Sequence, residues 1–87
     1  MKIKEGFILK QIMEDYIVVP TGEDLVNFDA MITLNESGAF LWKLLLEEQT
    51  EEQLCDALCA EYDVSREQAM EDLQHFLKML QSAKVLV

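Results

Sequence analysis

Ala30-Met-Ile-Thr-Leu-Asn-Glu-Ser-Gly-Ala-Phe-Leu-Trp42 decides the fold of this chain. It reads as a strand, a cap and a helix start in immediate succession. Residues 31–34 are an apolar run that includes the β-branched Ile32 and Thr33, which favour a pleated, half-buried surface. Asn35 follows as a strong N-cap, because its side-chain oxygen accepts from the free N–H groups of a first helical turn. Glu36 places negative charge where the helix dipole is positive. Ala39, Phe40, Leu41, Trp42, Leu44, Leu45 and Leu46 then make a helix apolar on most sides, which belongs inside the protein. The rest of the chain is expected to wrap around this joint.

Toward the N-terminus, residues 2–5 are a polar lead-in. Residues 6–12 favour a strand, residues 13–15 a tight polar connection, and residues 16–19 a second strand. The short link predicts an antiparallel hairpin. Pro20 ends the ladder by removing a donor, and residues 21–24 carry turn chemistry. Between Leu25 and Leu34 the apolar residues alternate. Residues 31–34 are the firm part of a third strand, and residues 26–30 are its extension or an ordered loop.

Toward the C-terminus, the first helix is expected over about residues 36–47. Thr50-Glu-Glu-Gln53 is a capping box and opens a second helix near Glu51, with Leu54, Leu58 and Tyr62 as its stripe. Ser65-Arg-Glu-Gln68 is a second capping box and opens a third helix, running to about Ser82. Its apolar face carries Ala69, Met70, Leu73, Phe76, Leu77, Leu80 and Ala83. Residues 85–87 form an apolar tail placed against the sheet. The order is β-β-β-α-α-α: an α+β fold, with a three-stranded antiparallel sheet followed by three helices. The last two helices have the size of a helix-turn-helix pair, so the topology is winged helix-turn-helix-like.

Eighty-seven residues, 51% of them hydrophobic, make a single domain spanning 1–87 with a modest core. No apolar run is long enough for a membrane span, and the N-terminus lacks the apolar core of a signal peptide. A cytoplasmic protein is expected. The net charge is −10 and the seven basic residues are scattered. Nucleic acid is therefore not expected as a partner, since phosphates are met chiefly by Lys and Arg, nor is an anionic membrane. A winged-helix transcriptional regulator is an alternative. It would need a basic recognition helix, and the third helix sets Arg66 and Lys78 against Glu67, Glu71 and Asp72.

No catalytic residue, metal ligand or cofactor site is expected. Cys55 and Cys59 lie at i, i+4 on one helix face, where a disulfide is hard to close. With His75 they fall short of four zinc ligands. His75 itself is expected at a polar or boundary position. Gly6, Gly22 and Gly38 do not form a phosphate-cradling loop. The paired carboxylates are solvated faces and cap charges.

What remains is binding. A sheet this small has two edges. If residues 31–34 form one of them, a peptide can add to it as a further strand. Ordering a short peptide costs on the order of 10–20 kcal/mol, and each backbone hydrogen bond returns only about 1 kcal/mol. An apolar groove must supply the remainder, at roughly 25 cal/mol per Å². The third helix is the candidate wall, with Met31, Phe76 and Met79 as lining. An adaptor that binds a folded partner through its helices is a further alternative.

At these residues the chain resembles a known family. Leu34-Asn-Glu-Ser-Gly-Ala-Phe-Leu-Trp42 is similar to the Leu-Asn-Glu-Thr-Gly-Ala-x-x-Trp signature of the PqqD-like proteins, named for pyrroloquinoline quinone biosynthesis protein D. Glu61-Tyr-Asp-Val64 and Asp72-Leu-x-x-Phe-Leu-x-x-Leu80 match later blocks of that pattern. The family usually ends its last helix on glycine, where this chain carries Lys84. The resemblance implies a recognition element for ribosomally made precursor peptides. Such a peptide chaperone holds the leader segment as an added strand and presents it to a modifying enzyme, often a radical SAM (S-adenosylmethionine) maturase. By position, the peptide-binding strand would be Met31, Ile32, Thr33 and Leu34. The helix face would be Ala69, Asp72, Leu73, Phe76 and Met79. An exposed edge also permits a strand-exchanged dimer beside a monomer.

Overall fold

The computed structural model describes residues 1–21 and 32–86. Its elements run β1 (Phe7–Ile12), β2 (Asp15–Pro20), β3 (Ile32–Leu34), α1 (Glu36–Leu44), α2 (Glu51–Glu61) and α3 (Arg66–Ser82). The three strands form one antiparallel sheet in the order β1-β2-β3. Met31 and the expected extension over residues 26–30 lie outside the described residues.

Strand pairing follows from the turn. Ile12 pairs with Asp15 across the two-residue connection Met13-Glu14. A two-residue hairpin closes on a hydrogen-bonded pair, and such pairs then alternate along the ladder. Ile17 and Val19 therefore spend their backbone groups on β1. Phe7 opposite Pro20 falls on a non-bonded pair, which suits a residue without an N–H. The Thr21 N–H donates to the Gly6 carbonyl at 2.7 Å, in phase with this count. Met13 has φ 59, an unusual value for a residue with a side chain.

All three helices start where their capping residues stand. The Asn35 carboxamide oxygen accepts from the Gly38 N–H at 2.8 Å. A Cβ at Gly38 would come within 3.1 Å of that oxygen and 3.3 Å of Leu34 Cβ, so glycine lets the helix start press against the strand end. At α2 both arms of the capping box close: the Gln53 N–H donates to Thr50 Oγ1, and the Thr50 N–H donates to Gln53 Oε1. At α3 only one arm forms. The Gln68 N–H donates to Ser65 Oγ, while the Gln68 amide turns forward to Asp72 Oδ1 at 2.9 Å.

Two ends differ from expectation. Helix α1 stops at Leu44 rather than near residue 47. Its end is closed locally and from afar: Gln49 Nε2, five residues on, donates to Leu44 O at 3.1 Å, and the Ile3 N–H to Leu45 O at 2.8 Å. The C-terminal tail pairs with the N-terminal segment instead of the main sheet. Ile3 bridges to Leu86, and the Lys4 N–H donates to Val85 O at 2.7 Å. Ile3 and Val85 are thereby buried, so the polar lead-in contributes to the core.

The core gathers Val18, Ile32 and Leu34 from the sheet with Leu41, Trp42 and Leu45 from α1. Leu54, Cys55 and Leu58 join from α2, and Leu73, Phe76, Leu77 and Leu80 from α3. Among the described residues, no helix is long and apolar enough to cross a membrane.

Candidate functional site

A cleft of about 1030 Å³ opens between β3, the start of α1 and one face of α3. From the strand it takes Thr33 and Leu34, and from the helix start Asn35 through Gly38. Helix α3 supplies Ala69, Asp72, Phe76 and Met79, a stripe at helical spacing, with Glu71 and His75 beside it. Leu41, Leu58, Tyr62 and Val64 line it from α1, α2 and the turn after α2. Asp15, at the start of β2, closes one end.

Among the described strands, the one beside this cleft lies at the edge of the sheet. Leu34 and Ile32 pair with Tyr16 and Val18, which by the alternation set at the hairpin are the hydrogen-bonded pairs. Thr33 sits opposite Ile17 in a non-bonded pair. Its N–H and C=O therefore point away from β2, along the open side of the sheet. The side chains alternate the other way: Ile32 and Leu34 are buried, and Thr33 is exposed.

Of the residues singled out in the sequence, Thr33, Leu34, Ala69, Asp72, Phe76 and Met79 lie together around the cleft. Ile32 and Leu73 do not line it. Ile32 is 8% exposed and Leu73 is wholly buried, both inside the core. Met31 is outside the described residues. Glu71, His75, Tyr62 and the α1 start were not expected to meet the peptide. The helical stripe through Gln68, Asp72, His75 and Met79 was a signal for one of them. The approach of Tyr62 depends on how α2 packs, which no local pattern encodes.

The cleft is apolar at its floor and acidic at its rim. Phe40 and Tyr62 pack edge to face, with ring centroids 5.8 Å apart. Burial, followed by the nearby Glu36 and Glu61 charges, pushes the Tyr62 phenol above its usual pKa and holds it neutral. Asp15, Glu36, Glu71 and Asp72 are exposed carboxylates around the opening. Away from it, burial raises the Cys55 thiol, with Arg66 opposing, so Cys55 stays protonated. Among the described residues, no group of three or more His, Cys, Asp or Glu is placed to hold a metal ion.

Fold and site together define a class: a small α+β domain with an open sheet edge beside a helix-walled cleft. The chain belongs to the family of coenzyme PQQ synthesis protein D (PqqD), whose family model matches residues 8–86. Two solved structures share the fold. One is described as TbiB1 in complex with the TbiA(beta) leader peptide. It is 30% identical with a TM-score of 0.78, over 99% of this chain and 94% of that one. The other is lasso peptide synthetase B1 complexed with the leader peptide, 18% identical with a TM-score of 0.70, over 93% of this chain and 89% of that one. No curated protein sequence matches significantly.

Proposed function

We propose that this chain is a peptide chaperone without catalytic activity of its own. It binds the leader segment of a ribosomally synthesised precursor peptide as a strand added to β3. It then presents the precursor to a modifying enzyme, with a radical SAM maturase as the expected class of partner. The observation that carries this reading is the open edge of Thr33 directly beside the β3–α3 cleft. The likeness to a structure containing a bound leader peptide supports it. The proposed contacts are Thr33 and Leu34 on β3 and the α3 face of Ala69, Asp72, Phe76 and Met79; Met31, also expected as a contact, lies outside the described residues. Leu73 acts from beneath, holding that face in place.

Magnitudes divide the labour. Within described β3, Thr33 alone offers outward backbone groups, so its two hydrogen bonds contribute about 2 kcal/mol. Micromolar affinity needs about 8 kcal/mol net of the ordering cost. The apolar floor therefore supplies most of the affinity, and the edge sets direction and register.

Substituting Thr33→Pro removes the outward N–H without touching a bond to β2, so the fold should survive. The test is calorimetric titration with leader peptides of small precursor genes sought in the neighbourhood of this gene. At least about a tenfold loss of affinity is expected, from one lost hydrogen bond plus the steric block to strand pairing. Unchanged affinity in a variant with wild-type circular dichroism contradicts strand addition at this edge.

A further inference from the structure

We propose that the cleft selects a basic strand: a peptide whose apolar side chains enter the floor and whose Lys or Arg side chains meet the rim. This rests on the strand-addition reading and adds the chemistry of the occupant. The cleft is lined by Asp15, Glu36, Glu71 and Asp72 and, among the described residues, by no lysine or arginine. None of these four carboxylates has an ion-pair partner among the described residues. Among the described residues, the one side-chain hydrogen bond to any of them comes from the neutral Gln68 amide, to Asp72.

Three of the chain's cations are engaged away from the cleft, and Lys2, Lys4, Lys10, Lys78 and Lys84 do not line it. Arg66 pairs with Asp56 and, at 3.9 Å, with Glu52, both on α2 and outside the cleft. The N-terminal amine pairs with Glu48 at 2.6 Å. Lys43 lies over the Tyr16 ring, 5.8 Å from its centre. The field at the cleft mouth is thus left for an incoming peptide to neutralise.

Geometry fits long basic side chains better than short ones. In an added strand, alternate side chains turn toward the cleft. A Lys or Arg there can lay its methylene stem on Phe76 and Met79 and carry its charge to Asp72 or Glu71. An acidic side chain in the same place would meet like charge. The complementary field would also speed encounter at low salt.

The test uses two synthetic peptides on one alternating Val-Thr scaffold, carrying Lys or Glu at the same positions. Each is titrated into the labelled chain and followed by amide shifts. The Lys peptide should bind about tenfold tighter, the size expected of a few rim ion pairs. Raising NaCl from about 0.05 to about 0.5 M should erase most of that difference. The Glu71→Gln, Asp72→Asn double variant should lose the preference, and Glu47→Gln, away from the cleft, should keep it. Equal affinities, or tighter binding of the Glu peptide, with shifts at Thr33 overturn the charge preference and leave strand addition standing. Absence of shifts at Thr33 with both peptides overturns strand addition, and this inference with it.

Discussion

Lys84 occupies a backbone position that glycine normally fills. Its φ is 61, in the left-handed region. The Val85 N–H reaches back to Leu80 O at 3.2 Å and the Lys84 N–H to Gln81 O at 3.1 Å, the paired bonds of a Schellman motif. Leu80 and Val85, the residues that such a motif packs together, are both wholly buried. The helix therefore ends where the family pattern places its glycine, and the departure in sequence is absorbed as local strain. A left-handed residue with a side chain costs about 1–2 kcal/mol, and glycine gives back about 0.5–1 kcal/mol in chain entropy. Lys84→Gly is expected to stabilise the fold by about 0.5–1 kcal/mol, raising Tm by about 2–8 °C in thermal denaturation. A lower Tm would mean that the Lys84 side chain makes a compensating contact.

At the scale of elements, the joint between β3 and α1 positions the cleft. Asn35 caps α1 through Gly38 N, and both residues also line the cleft. Asn35→Ala should cost about 1 kcal/mol, read as a lower urea midpoint at unchanged slope. A larger loss would show that the joint, and not the cap alone, depends on this side chain. The helix starts were legible because caps are local chemistry: Asn35, Thr50 and Ser65 each stand immediately before a helix. The end of α1 was not legible, because the Ile3 N–H, from the other end of the chain, takes the Leu45 carbonyl. The α3 face was half legible. The register implied by the resemblance marked Ala69, Asp72, Leu73, Phe76 and Met79, but of these Leu73 turns inward. Which side of a broad stripe meets the cleft depends on how the helix tilts over the sheet, and periodicity carries no information on tilt.

At the scale of the molecule, the design separates what holds the fold from what meets a partner. The core runs through Trp42, Leu45, Leu54, Leu73 and Leu80, each no more than 1% exposed. The termini are drawn into it by the Ile3–Leu86 bridge and the Met1–Glu48 pair. The cleft lies on one side of this core, with Leu34, Leu41, Leu58, Ala69 and Phe76 shared between the two. The open edge that would take a peptide would equally take β3 of a second copy, so peptide binding and strand exchange compete for Thr33.

The measurement that tests strand addition most directly is amide hydrogen exchange by NMR, with and without a bound leader peptide. The outward Thr33 N–H should exchange freely in the unbound chain and become strongly protected on binding. The amides of Ile32 and Leu34, already bonded to β2, should change little. Binding that leaves Thr33 exchanging at its free rate would contradict the account, because the peptide would then occupy the protein without extending its sheet.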